Sequence, residues 1–76
     1  MRFSITSIGE KLKHRRELLA LLQSQLAQLS GVSTRTIQLV EQGKSNPSLE
    51  TLLQLAEPLG LELDLVVKKP LIIDEP

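Results

Sequence analysis

The chain has no cysteine, so it can hold neither a disulfide nor a thiolate-ligated metal. Aromatic residues are almost missing: Phe3 is the only one among 76 residues. Proteins that grip single-stranded nucleic acid stack bases on aromatic rings, so that mode is disfavoured. His14 is the only histidine; with no motif around it, it reads as an exposed helix residue. No carboxylate pair, nucleophile–base set or metal cluster stands out, which argues against an enzyme. So short a chain has little room for a buried pocket, and neither a cofactor nor a small-molecule ligand is expected. No stretch approaches the roughly 20 apolar residues of a membrane span. Arg2 is not followed by the apolar run of a signal peptide. The expectation is a single cytoplasmic domain with no membrane partner.

An excess of either charge is lacking too, with nine basic and nine acidic residues. The distribution is uneven. Residues 1–47 hold seven basic side chains (Arg2, Lys11, Lys13, Arg15, Arg16, Arg35, Lys44) against Glu10, Glu17 and Glu41, a net of +4. Residues 48–76 hold Lys68 and Lys69 against Glu50, Glu57, Glu62, Asp64, Asp74 and Glu75, a net of −4. A basic front and an acidic back make a polarised molecule, and only the front suits a polyanion.

Apolar spacing predicts four helices. Residues 2–6 alternate loosely, as extended backbone does. Ser7 and Glu10 have the S-x-x-E spacing of a capping box, which places a first helix after Ser7 and up to about Leu19. Ile8, Leu12 and Leu19 fall on its apolar stripe. A second helix covers about Gln23 to Leu29, with Leu26, Ala27 and Leu29 on its buried side. Ser30-Gly31-Val32 is a tight turn in which Gly31 takes a positive φ. Ser33 caps a third helix, Thr34–Gln42, held on the scaffold by Ile37 and Val40 and ended by Gly43. Ser48 caps a fourth, Leu49 to about Leu59, with Leu52, Leu53, Leu55 and Ala56 on its apolar side. Pro58 should distort its last turn or end it early. Leu61 to Val67 then alternates with period two and reads as a strand. A lone strand must pair with something. The same strand from a second protomer, antiparallel about a two-fold, is the better candidate, with residues 2–6 the other. The chain divides into an N-terminal extension (1–7), a helical domain (8–60), a dimerisation strand (61–69; Leu61, Leu63, Leu65, Val67) and a tail (70–76).

Two short helices joined by a glycine turn are the helix-turn-helix layout, whose second helix lies in the major groove of double-stranded DNA. Its base-reading residues here are Thr34, Arg35, Gln38 and Leu39. Arg35 can donate twice to guanine O6 and N7, and Gln38 can bond adenine the same way. Phosphate contacts fall to Gln23 at the start of the second helix, and to Ser33, Thr36, Gln42 and Lys44.

The ordered set Leu-x-Gln-x-x-Leu-Ala, Gly-Val-Ser, Thr-Ile, Glu-x-Gly-Lys and Asn-Pro-Ser-Leu-x-Thr-Leu resembles the Xre, phage-repressor and Cro family, over about residues 8–65. The resemblance implies a mainly α, lambda-repressor-like bundle of four to five helices, here with a C-terminal β-strand that pairs across a dimer. It also implies an ion pair between Arg16 and Glu41 beneath the DNA face, which fixes the recognition helix and presents Arg16 near a phosphate. Three positions depart from the family pattern: Ala20 for a usual glycine, Leu22 for a usual capping threonine, and Leu39 for a usual polar residue. The end Leu59-Gly-Leu-Glu-Leu-Asp-Leu resembles HipB-type antitoxins. That resemblance implies a homodimer on an inverted-repeat operator and a HipA-type kinase toxin as partner. Leu18, Leu22 and Leu29 lie off the core spacing, either as protein-contact residues or as additional core. Three functions compete: the antitoxin, a stand-alone phage- or plasmid-type repressor, and a protein-interaction module with an idle DNA face.

Overall fold

A computed structural model describes the backbone of residues 5–67 and the side chains of residues 7–67. Four helices follow in order: α1 Ile5–Leu18, α2 Gln23–Ser30, α3 Thr34–Glu41 and α4 Leu49–Leu59. They close on one apolar centre. Leu12 of α1, Leu26 of α2, Val32 of the turn, Ile37 and Val40 of α3, and Leu55 and Leu59 of α4 are all buried there. Each such side chain contributes about 1.5–3 kcal/mol by leaving water. Ile8, Leu21, Ala27, Leu52 and Leu61 pack around the rim.

Glycine at position 9 lets α1 approach α3. A β-carbon there would overlap the Val40 carbonyl oxygen and stand 3.2 Å from that of Glu41. The end of the recognition helix therefore rests directly on the backbone of α1.

All four helices end on a left-handed residue: Ala20 (φ 60°), Gly31 (φ 78°), Gly43 (φ 71°) and Gly60 (φ 70°). Three of these ends share one bond pattern. Leu21 N–H reaches Arg16 O and Ala20 N–H reaches Glu17 O, at 3.0 and 2.9 Å; Lys44 with Leu39, and Leu61 with Ala56, repeat it. These are Schellman closures, which satisfy the last carbonyls of a helix. Only at Ala20 does the closure put a β-carbon in the left-handed region. Arg15 adds a side-chain cap, with Nε donating to Leu59 O at 2.8 Å at the end of α4, where a cation also suits the helix dipole.

Several expectations need correction. α1 starts at Ile5, so Ser7 lies inside the helix and does not cap it. The spacing Ile5, Ile8, Leu12 carries the apolar stripe one turn earlier, and nothing in the sequence breaks the helix before Ser7. Ile5 and Thr6 are accordingly not extended; residues 1–4 lie outside the described residues. Pro58 does not shorten α4, which runs to Leu59. The hydrogen bond it cannot donate belongs to the last turn, beside exposed Gln54, while buried Leu55 and Leu59 anchor that turn. Leu19, Leu29 and Leu53 are exposed and not core. Leu18 and Leu22 are exposed as well, which removes them from the core reading. No strand forms among the described residues 61–67. Leu61 packs on the core, but Leu63, Leu65, Val66 and Val67 face solvent, Leu65 with 95 % of its surface exposed. A strand needs a ladder partner, and among the described residues no other strand is present to pair with that segment. Residues 68–69 of the expected strand and the tail 70–76 lie outside the described residues.

The strain at Ala20 yields a test. Ala20→Gly removes a penalty of about 1–2 kcal/mol, partly offset by the larger chain entropy of glycine. The net gain should be about 1 kcal/mol, roughly 4–8 °C in Tm for a domain this size. Calorimetry checks it; an unchanged or lower Tm would mean the turn carries no strain.

Candidate nucleic-acid interface

The turn between α2 and α3 follows from three residues. Gly31 N–H bonds Ala27 O at 2.9 Å and ends α2. Ser30 Oγ accepts from Val32 N at 3.1 Å and tightens the corner. Ser33 then caps α3, its Oγ accepting from Thr36 N at 3.1 Å. Its own hydroxyl donates to Thr36 Oγ1 at 2.9 Å. The hydroxyl proton of Ser33 is thus used inside the protein, while that of Thr36 remains to be offered outward.

Burial of Ile37, Val40 and Glu41 fixes how α3 is rotated. At 100° per residue the opposite side carries Arg35, Leu39 and Gln42, flanked by Gln38 and Thr36. Arg35 and Gln42 are exposed; Thr34, Thr36, Gln38 and Leu39 are half-buried. Leu39 stands one turn from Arg35 on the same outward side. Lys44 follows in the exposed loop. Of the predicted reading residues, Arg35, Leu39 and Gln38 share the open side of α3, while Thr34 stands half-buried at its start, toward the inner side.

The inner side is held by charge. Arg16, only 8 % exposed, turns its fork onto Glu41, 7 % exposed. Arg16 Nε donates to Glu41 Oε2 at 2.7 Å and Nη2 donates to Oε1 at 3.0 Å. This bidentate geometry is the strong form of such a pair. Arg16 Nη1 donates to Leu21 O at 2.7 Å, which ties in the α1–α2 turn. Gln23 Nε2 donates to Glu41 Oε1 at 3.0 Å. Hydrogen bonding to Glu41 raises the Arg16 pKa above its ordinary value, against the opposing effect of burial. One carboxylate on α3 thus gathers donors from α1 and α2. The Gln23 amide keeps one further N–H beyond the one given to Glu41.

Leu22 offers no acceptor to the start of α2. Only the reciprocal half of a cap forms, with Leu22 N–H donating to Gln25 Oε1 at 2.8 Å. Reasoning from sequence missed three contributors: Gly9, Arg15 and the bond from Gln23 to Glu41. A glycine inside a helical pattern was the available signal for the first. The other two depend on tertiary placement. Among the described residues no group of His, Asp and Glu could hold a metal, and no helix is long and apolar enough to cross a membrane.

Breaking this inner node should be costly. Glu41→Ala leaves the Arg16 guanidinium buried without its counter-ion, a loss of about 3–5 kcal/mol. Chemical denaturation measures it. A loss below about 1 kcal/mol would class the pair with surface salt bridges.

The comparisons with known proteins agree with this geometry. Residues 12–66 match the helix-turn-helix family model. An uncharacterized HTH-type transcriptional regulator of Haemophilus influenzae is 49% identical over 51 residues, covering 67% of this chain and 52% of the relative. The chain thus spans about half the length of that relative. An uncharacterized HTH-type transcriptional regulator of Methanocaldococcus jannaschii is 41% identical over 54 residues, covering 71% of this chain and 82% of the relative. The crystal structure of the restriction-modification controller protein C.AhdI from Aeromonas hydrophila superposes with a TM-score of 0.73 at 36% identity, over 76% of this chain and 88% of that one. The family match covers most of the chain, the four-helix fold superposes on that controller protein, and the chain belongs to the Xre-type helix-turn-helix family.

Proposed function

We propose that this protein is a sequence-specific repressor that binds double-stranded DNA as a homodimer on an inverted-repeat operator and regulates its own operon. DNA binding and transcription regulation are the common ground of its family and relatives. The observation that carries the finer reading is the orientation of α3, whose buried Ile37, Val40 and Glu41 turn Arg35 outward.

In this reading α3 enters the major groove. Arg35 donates to guanine O6 and N7, Gln38 pairs with adenine, Thr34 adds a hydroxyl, and Leu39 rests on a thymine methyl. Phosphates are held by Lys44, Gln42, Thr36, the second amide N–H of Gln23 and the remaining N–H groups of Arg16. Ser33 contributes by capping α3 more than by its own hydroxyl, which is already engaged. Two protomers related by a two-fold set their recognition helices about 34–36 Å apart, one DNA turn. Leu61, Leu63, Leu65 and Val67 form the dimer strand once a second copy supplies the ladder.

A second reading makes this repressor the antitoxin of a HipA-type kinase toxin. Its support is the Leu59-to-Leu65 resemblance and the exposure of Leu18, Leu22 and Leu29, which offers a protein contact. The similarity to a restriction-modification controller favours the stand-alone regulator. Expression of the chain with its neighbouring genes, followed by affinity purification, separates the two. A stoichiometric kinase-like partner supports the antitoxin; recovery of the chain alone with specific operator binding supports the stand-alone repressor. A protein that binds no DNA in a salt-dependent way would contradict both and leave an idle DNA face.

The division of labour on α3 is testable by gel shift. Arg35→Ala should cost about 1–3 kcal/mol on the operator and relax specificity at one base pair per half-site. Lys44→Ala should weaken operator and random DNA alike and reduce the salt slope by about one. Equal losses for Arg35→Ala on both DNAs would remove its base-reading role.

A further inference from the structure

On the side of α4 away from the centre lies a shallow groove between the end of α2 and α4. Its apolar surface is Leu29, Leu53 and Pro58. Leu29 and Leu53 keep 61 % and 50 % of their surface exposed. Its charged lining residues are Glu50 and Glu57, and no lysine or arginine lines it. Two copies packed groove to groove would therefore bring four carboxylates together with no cation among them, which disfavours that arrangement. The groove suits a segment that is apolar and basic.

The sequence contains one such segment close by. Lys68 and Lys69 are the only basic residues beyond Lys44, and Leu71-Ile72-Ile73 follows them after Pro70. We infer that the groove receives residues 68–73 of a second copy of this chain. The inference rests on the proposed dimer and deepens it.

The direction follows if the proposed dimer strand pairs symmetrically about its midpoint. An antiparallel two-fold pairing centred on Asp64, the middle of Leu61–Val67, sets residue 61 opposite 67 and hence Gly60 opposite the second copy's Lys68. That segment then enters at the C-terminal end of α4, beside Glu57 and Pro58. Residues 69–73 reach about 16 Å at 3.3 Å per residue. The run back along α4 from Pro58 to Glu50 is about 12 Å at 1.5 Å per residue. Lys68 and Lys69 of the second copy meet Glu57, and its Leu71 and Ile72 meet Leu53 and Leu29. The chain's own tail is the poorer occupant, because beyond Leu61 the segment stands away from its own body, with Leu65, Val66 and Val67 exposed. The exchange is reciprocal, so the acidic back becomes the place where two copies interlock, while the basic front stays free for DNA.

The absence of cysteine allows a clean test on the full chain. Leu53→Cys and Ile72→Cys are made in separate preparations, mixed and oxidised, with Lys11→Cys replacing Leu53→Cys as the control. A hetero-disulfide between the first two, about tenfold above the control, is expected, because only docked cysteines share a high effective concentration. Lys68→Glu with Lys69→Glu should weaken dimerisation about tenfold in sedimentation equilibrium, and adding Glu50→Lys with Glu57→Lys to the same chain should restore it. Circular dichroism confirms that these exposed substitutions leave the fold intact. A dimer that gives no such cross-link overturns the inference and leaves the dimer standing. A cross-link found only within one chain carrying both cysteines overturns it too, by making the chain's own tail the occupant. A wild-type protein that stays monomeric overturns the dimer itself.

Discussion

The Glu41 carboxylate is nearly buried at the C-terminal end of α3, where the helix dipole disfavours negative charge. It is tolerable there because Arg16 meets it with two hydrogen bonds and Gln23 with a third. Those three bonds connect α1, α2 and α3 at one point. Nearby, Gly9 lets α1 touch the Val40 carbonyl, and Arg16 holds the Leu21 carbonyl of the α1–α2 turn. The orientation of α3, and with it everything that Arg35 can reach, depends on this node. A hydrophobic contact would bury the helix equally well but would fix its rotation less tightly. An ion pair with bidentate geometry adds directional specificity to the contact.

Much of this was legible in the sequence where one residue type has one use. Ser33 and Ser48 precede apolar runs and cap α3 and α4; Gly31, Gly43 and Gly60 stop helices where only a left-handed residue closes the last turn. Ala20 shows the limit of that logic, since the same closure forms with a β-carbon present and the sequence alone does not reveal the strain. The start of α1 was misplaced because S-x-x-E has the same spacing inside a helix as at its cap. The excess of leucine blurred the core: with leucine at 18, 19, 22, 29, 49 and 53, apolar spacing no longer separates inside from outside, and all six are exposed. The alternation from Leu61 to Val67 is a pattern for a paired strand, and among the described residues no strand forms there.

Those exposed leucines and the charge polarity belong to one account. A net charge of zero conceals a sequence whose first 47 residues, α3 among them, carry a net of +4 and whose last 29, α4 among them, carry −4. DNA binding needs the first. The second keeps the back from competing for phosphate and leaves apolar surface, edged by Glu50 and Glu57, for protein contact. A small core holds only marginal stability by itself, and a dimer that covers such surface adds to it.

The central claim is that two copies of α3 read the major groove of one operator from positions fixed by a two-fold axis. Methylation interference at guanine N7 on the DNA upstream of the gene measures this most directly, because N7 lies in the major groove. The account predicts two symmetric sets of interfering guanines whose centres are about 10–10.5 base pairs apart, or a multiple of that, with interference at one guanine per half-site abolished by Arg35→Ala. A single set, an asymmetric pair, or no interference at N7 despite tight binding would contradict it.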